Sequence, residues 1–363
     1  KRRGTLELDL PERQVLLDDA GQVQDIVVRT RYDSHRLIEE FMIAANVSAA
    51  EELERRAQAC MYRVHEPPDP EKLAALGEVL RSFDLSLPRG QVIRPKQLTA
   101  LLRKVAHRPE AALVHEMVLR SQSQAVYSPD NLGHFGLALR HYAHFTSPIR
   151  RYADLLVHRG LIAGLGLGTD GLGPDEAAAF EEIGAEISAC ERRAAVAERA
   201  TVDRYCAAYL ADRIGESAGG RIRGVTRFGL FVTLDHSGAD GLLLAKDLAD
   251  DRYFYDEAAQ ALIGDRWGRS YRLGQRIAVT VVEASPVSGA IRLRLSEDEE
   301  PAGDQDAPPT VAQRRGWDPL AKPQSKGSAA KRGKSQGAKS RTKTARPGKK
   351  PKAAAGRSRK RKR

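Results

Sequence analysis

Apolar and polar positions alternate along much of the first 32 residues. The stretches GTLELDLPE and QVLLDDAGQVQDIVVRT read as short strands, with a turn at Gly21. From Asp33 or Ser34, either of which can cap a helix, the period becomes helical. The run Leu37 to Val47 is apolar almost all round, so it predicts a helix buried on most sides. Residues 66–110 alternate Pro-containing turns with short helices, and a long helix rich in Ala, Glu and Arg is expected from about Pro174 to Ile214. After ESAGG (Glu216 to Gly220) the period turns strand-like. RIRGVTRFGLFVTLD, ADGLLLAKDL, RIAVTVVEAS and AIRLRLS, separated by Gly, Asp and Ser, predict a small all-β barrel. Order is expected to stop at Glu297, because the Lys, Arg, Ser, Ala, Gly and Pro beyond it cannot bury enough surface to offset chain entropy.

Charge divides the chain at the same place. The formal net charge of +11 is the sum of two opposed parts. From Pro301 to Arg363 there are 20 Lys/Arg against 3 Asp/Glu, or +17; the remaining 39 basic and 45 acidic residues give −6. A uniformly basic protein is excluded. A tail this basic attracts polyanions without selecting among them. The three cysteines, Cys60, Cys190 and Cys206, are too few and too scattered for a disulfide framework, and no apolar run nears the ~18 residues that span a bilayer. A reducing cytoplasm and no membrane are therefore expected.

The segment richest in chemistry is YSPDNLGHFGLALRHYAHFTSPIRRYADLLVHR, residues 127–159. Thr146-Ser147-Pro148 is a helix-start signature, with Ser147 as cap and Pro148 in the first helical position. Arg150 then falls in the first turn, where a cation opposes the helix dipole by about 0.3–1 kcal/mol. An anion would compensate, since free N–H groups and a guanidinium fork suit phosphate. A plain i,i+4 ion pair with Asp154 is the alternative. Arg151 points about 100° away round such a helix and cannot share that face. His134, His141, His144 and His158 stand at intervals of 7, 3 and 14, which match no common zinc spacing, so structural or RNA-contacting roles are expected. Tyr127, Tyr142, Phe135 and Phe145 could stack on bases, with core packing the alternative for each.

These residues carry a resemblance. HFTSPIRRYADLLVHR is similar to the signature of the RNB family of exoribonucleases, and YSPDNLGHFGL and HRLIEEFMIAANVSAAE resemble further blocks of the same domain. YRVHEPPDPEKL and the β module bring the likeness nearest to the bacterial ribonuclease R branch, in order and without large gaps to about residue 296. The resemblance implies an α+β fold: the C-terminal part of the RNB catalytic domain over 1–215, an all-β OB-type barrel of S1 motif over 216–297, and a disordered Lys/Arg-rich tail over 298–363. It implies processive, hydrolytic 3′→5′ degradation of RNA to nucleoside 5′-monophosphates, with Mg²⁺ as cofactor.

Residue by residue, Arg150 matches the family arginine on the scissile phosphate, which offsets charge developing in the transition state. Glu40, or its neighbour Glu39, matches an acidic residue that could accept ribose hydroxyls. Glu198 resembles another acidic residue of that pocket, with a helix-face ion pair to Arg199 or Arg204 as the alternative. Tyr127, His134 and Arg151 are further RNA-contact candidates. In the barrel, Phe228 and Phe231 occupy the family's stacking positions. Arg223, Arg227, Lys246 and Arg294 could meet phosphate or be solvated surface charges, and Leu244 stands where the family often has His. The family's Asp-rich metal motif has no counterpart: Asp18-Asp19 reads as a pair of solvated turn carboxylates, so no metal ligands are expected within the chain. The chain accordingly reads as the C-terminal part of a longer enzyme, inactive by itself. Expected partners are single-stranded RNA, and structured RNA or the ribosome through the basic tail. A non-catalytic RNA-binding protein is the alternative.

Overall fold

The computed structural model describes residues 3–296 apart from Asp9, 89–91, 249–250, Ala258 and Trp267. The basic tail lies outside the described residues. β1 (Arg13–Leu17) and β2 (Val23–Val28) form the expected antiparallel hairpin. At its turn Gly21 adopts φ +77°, and the Asp18 carboxylate accepts the N–H groups of Ala20 and Gln22. The GTLELDLPE stretch differs from its alternating pattern: residues 4–8 form no strand and pair with none. They lie along the helical body, with Leu6 N–H on Gly136 O at 2.8 Å, while Leu6 and Leu8 pack on the helical core.

α1 (Asp33–Arg55) starts where the sequence predicts, after Tyr32, whose backbone N–H donates to His35 Nδ1. Its burial does not follow the prediction. Every residue from Arg31 to Phe41 is exposed, and the buried positions begin at Asn46 and continue with Ala49, Ala50 and Leu53. β3 (Tyr62–Val64) pairs with β4 (Val126–Ser128). Between them α2 (Pro70–Arg81), α3 (Pro95–Val105) and α4 (Ala111–Ser121) close a core of Leu76, Leu80, Leu98, Leu102, Val114 and Val118. α2 is the Pro-initiated helix with an Asp cap that its sequence announces: Asp69 accepts the N–H of Glu71 at 2.7 Å.

α5 (Tyr152–Leu165), α6 (Pro174–Ala178) and α7 (Phe180–Ala211) follow. α7 runs 32 residues, about 48 Å, and joins two cores. Its first turns pack on β4 through Phe180, Gly184 and Ser188, and its last turn joins Cys206, Ala207, Tyr209 and Leu210 to the barrel core.

The barrel is closed, in the order β11-β12-β7-β6-β5, from β5 (Ser217–Thr226), β6 (Gly229–Leu234), β7 (Asp240–Leu244), β11 (Arg276–Ser285) and β12 (Ala290–Leu295). Closure comes from the parallel pairing of β12 with β7, the other pairings being antiparallel. Alternate residues Ile222, Leu230, Val232, Leu243, Val279 and Leu293 fill it. A three-stranded sheet of β8 (Tyr253–Asp256), β9 (Ala261–Gly264) and β10 (Ser270–Arg272) is inserted between β7 and β11, in a stretch where no strand was expected. Ile26 of the hairpin lies in the same buried cluster as the barrel core and the end of α7. None of the described helices is long and apolar enough to cross a membrane.

Candidate functional site

The TSPIRR segment does not start a helix at Pro148. The helix begins at Tyr152, with Arg151 in extended conformation as its cap residue. Residues 147–151 instead make a tight turn, in which the N–H groups of Arg150 and Arg151 both donate to Ser147 O, at 3.3 and 3.1 Å. The reason lies one helical turn downstream. Asp154 is wholly buried, accepts Ser147 N–H at 2.8 Å and the Arg151 guanidinium Nη2 at 2.8 Å, and has Arg151 Nε 2.8 Å from its second oxygen. A buried carboxylate is stable only when paired and hydrogen-bonded, and this one takes both partners from the turn. Asp154 is therefore the partner of Arg151, not of Arg150 as the i,i+4 alternative had it.

The upstream half of the segment is anchored as firmly. Asn46 of α1 accepts Phe145 N–H at 2.9 Å and donates to Tyr142 Oη at 3.1 Å. His158 bonds Phe145 O at 2.9 Å and stacks on the Phe145 ring, with centroids 4.3 Å apart. What this scaffold presents is Ile149, 98 % exposed, and Arg150, exposed and without a side-chain partner among the described residues. A pinned turn with a free guanidinium at its tip can bind an anion, since its position is set before any ligand arrives.

Beneath the turn is a buried aromatic and histidine cluster. Tyr127 is buried, its hydroxyl 2.8 Å from His144 Nδ1 and its ring 4.6 Å from the Arg63 guanidinium carbon. His134 packs edge-on between His65 and Tyr142 and accepts Leu137 N–H at 3.2 Å. Desolvation, then the neighbouring His65 and Arg63, pushes His134 down to about 3. Desolvation and the charges of Arg151, Arg63 and Arg150 likewise bring His144 to about 3. Both histidines are thus neutral supports. Tyr127, a candidate for RNA contact by sequence, is buried as its core alternative has it, while His134 is half-buried and packs against His65 and Tyr142.

Glu40 and Glu39 both lie on the exposed half of α1. Glu40 meets Arg3 at 3.2 Å and Glu39 pairs with Arg31, so each has a cation of its own. Glu198 lies on an exposed stretch of α7, and no ion pair with Arg199 or Arg204 forms among the described residues. Glu191, two turns earlier on the same face of α7, holds Arg63 at 2.6 Å.

On the barrel, Phe228 and Phe231 are 53 % and 38 % exposed, their rings edge to face with centroids 6.1 Å apart. Arg227, Lys246 and Arg294 are exposed around the barrel. Arg223 is not a free cation: it bridges Asp240 of the barrel and Glu116 of α4, and Glu116 also holds Arg120 at 2.6 Å. The sequence could not show this pairing, because Arg223 and Glu116 are 107 residues apart. A crevice of about 650 Å³ opens beside it, walled by Arg120, Arg199, Asp203 and Phe231.

Two family models match in succession: the RNB domain over residues 1–166 and the S1 RNA binding domain over residues 211–296. Ribonuclease R of Aquifex aeolicus is 42% identical over 294 residues, 81% of this chain and 42% of that protein. Ribonuclease R of Escherichia coli K12 is 38% identical over 289 residues, 77% of this chain and 36% of that protein. The chain belongs to the RNB family. Within it the chain is of the bacterial ribonuclease R type. This RNB-family chain spans about two fifths of the length of the curated relatives it matches. The fold agrees: apo RNase R of Mycoplasma genitalium superposes with a TM-score of 0.76 at 28% identity, over 81% of this chain and 47% of that one. The same enzyme in complex with ribose-methylated single-stranded RNA gives 0.75 at 27% identity, with the same coverage.

Among the described residues of this RNB-family chain, no three His, Cys, Asp or Glu side chains converge on a point that could hold an ion. Three acidic groups on the candidate elements are engaged: Asp154 with Arg151, Glu40 with Arg3, Glu191 with Arg63. The residues described do not fit a magnesium centre.

Proposed function

We propose that this chain is the RNA-holding portion of a 3′→5′ exoribonuclease that releases nucleoside 5′-monophosphates processively, and that it does not hydrolyse RNA by itself. The observation that carries the reading is Arg150, an unpaired guanidinium on a turn fixed from both sides. In this reading Arg150 contacts the scissile phosphate and offsets its developing charge. Glu40 and Glu198 lie near the terminal ribose, and Arg151 acts through Asp154 to set the turn. Phe228 and Phe231 stack on bases of incoming single-stranded RNA, while Arg227, Lys246 and Arg294 follow its phosphates. The Mg²⁺ that the family reading requires is held by carboxylates outside this sequence. The tail over 298–363 adds salt-sensitive, sequence-independent attraction to structured RNA or the ribosome in the cytoplasm.

The test is direct. The purified chain is mixed with 5′-labelled single-stranded RNA and Mg²⁺. Binding without shortening is expected; stepwise loss from the 3′ end would overturn the claim of inactivity, and absence of binding would overturn the reading as a whole. A non-catalytic RNA-binding protein is the second reading, favoured by the complete barrel with its exposed phenylalanine pair. The two separate at Arg150→Ala in a chain completed with a relative's remaining residues: loss of RNA shortening supports the nuclease, and no shortening before the substitution supports the binding protein.

A further inference from the structure

The crevice between α4, the C-terminal half of α7 and the barrel has more charged groups on its walls than it has charges to offer a ligand. Glu116 holds Arg120 and Arg223, and Arg223 also holds Asp240. Two groups remain. Arg199 and Asp203, four residues apart on one face of α7, are exposed and make no hydrogen bond or ion pair among the described residues. The other walls are apolar or bare. Phe231 and Leu119 are 38 % and 45 % exposed. Gly289, at φ +75° in the turn between β11 and β12, lets that turn close on α7: a Cβ there would lie 3.0 Å from the Cβ of Asp203. Partial desolvation, then the charge of Asp240, raises the Asp203 carboxyl above its ordinary range, so the ionised group gains by taking hydrogen-bond donors.

This combination selects among ligands. A phosphate track needs several free cations, and the crevice offers one. A divalent cation needs several free carboxylates, and it offers one. One cation, one carboxylate and an exposed ring together suit a nucleotide: the guanidinium takes the phosphate, the ring takes the face of the base, and the carboxylate takes its edge. A volume of about 650 Å³ is within the range of ligand pockets. The carboxylate also chooses the base. Its two oxygens match two adjacent donors, and among the four RNA bases guanine carries them, N1–H beside the N2 amino group. Uracil has one N–H between two carbonyls. Adenine and cytosine set one amino group beside a ring nitrogen whose lone pair repels a carboxylate.

We propose that this crevice is a guanine-reading subsite for single-stranded RNA, in which Asp203 accepts N1–H and N2–H, Phe231 supports the base and Arg199 holds its phosphate. The subsite rests on the RNA-holding reading and adds a base preference that phosphate contacts cannot supply. The guanine belongs to a strand, because the Phe228 ring stands beside that of Phe231, centroids 6.1 Å apart, and gives a neighbouring base a second aromatic surface.

The experiment measures fluorescence anisotropy of the full chain with oligouridine strands of about ten nucleotides, with and without one guanosine placed at each position in turn. A guanosine in register should tighten binding about tenfold. 7-Deazaguanosine, with both donors intact, should keep the gain, and 1-methylguanosine should lose it. Asp203→Asn should erase the gain at an unchanged melting temperature, because the exposed carboxylate holds no other residue. Arg199→Gln should weaken all strands alike and leave the gain in place. A gain that survives Asp203→Asn would overturn the subsite. So would displacement of every strand by free 5′-GMP without preference among them, which would give the crevice to a mononucleotide. Equal affinity for all strands would remove the subsite and leave the RNA-holding reading standing, whereas failure to bind any strand would remove both.

Discussion

The carboxylate of Asp154 holds the backbone N–H of Ser147, a residue that precedes the helix carrying the aspartate. The same oxygen binds Arg151, so one buried charge closes the turn whose tip is Arg150. Breaking a buried ion pair from one side typically removes about 3–5 kcal/mol. Asp154→Asn keeps an acceptor for Ser147 but strands the Arg151 cation. It should lower stability by about 3 kcal/mol in urea unfolding and weaken RNA binding to the degree that Arg150→Ala does. Wild-type stability in the variant would mean that the turn is held by something other than this carboxylate.

The phenylalanine pair gives a second expectation. Phe228 and Phe231 are both exposed on the barrel, and a base stack is worth about 1–3 kcal/mol. Either Phe→Ala change should weaken single-stranded RNA binding roughly five- to a hundredfold in fluorescence anisotropy. Circular dichroism should not change, because neither ring fills the barrel. Unaltered affinity in both variants would remove the pair from the binding surface.

The barrel cations should separate into two kinds. Arg227→Ala and Lys246→Ala remove exposed charges, and each should reduce the slope of log affinity against log salt by about 0.7 if its cation neutralises one phosphate of single-stranded RNA. Arg223→Ala should leave the slope unchanged and instead speed hydrogen exchange where α4 meets the barrel, because its charge is already spent on Glu116 and Asp240. A slope change at Arg223 would show that the bridge opens to RNA.

Acid should destabilise the fold through two half-buried histidines. His134 and His144 are held near 3 against an ordinary value of 6.5. Below 6.5 the unfolded chain takes up protons that the native one refuses, so stability is complete above that value and falls as pH drops towards 3. The loss is up to about 1.4 kcal/mol per pH unit for each ring. Melting temperature should therefore fall from about pH 6.5 downwards. His134→Asn, which keeps an acceptor for Leu137 N–H, should fall less steeply; an equal slope would place the acid sensitivity elsewhere.

Periodicity made the elements legible but not what covers them. The change from helical to strand spacing at Glu216 located the barrel, whose inward residues Ile222, Leu230 and Val232 follow the alternation. The same reasoning misjudged α1. An all-round apolar run predicts burial, yet Leu37, Ile38 and Phe41 stand in water, because the pattern records the need for a partner and not its presence. At the site, Arg150 was legible as a cation out of place. The cause of its placement was not, since the Asp154 carboxylate reaches outside its own helix and overrides the Ser147-Pro148 start signal. Tyr127 was ambiguous between stacking and core, and His134 between a structural and an RNA-contacting role, until their partners His144 and His65 were located. The inserted β8–β10 sheet was missed because its strands are only three or four residues long.

The hairpin has a consequence for synthesis. Ile26 shares its buried cluster with Cys206, Leu210 and the barrel. A ribosome adding about 5–20 residues per second makes Ile26 roughly ten to forty seconds before the first of these partners. During that interval the hairpin carries an uncovered apolar residue, and Arg13 has not yet met the His236 carbonyl it will bind. The hairpin's native seat thus cannot form until the growing chain has delivered the end of α7 and the barrel after it.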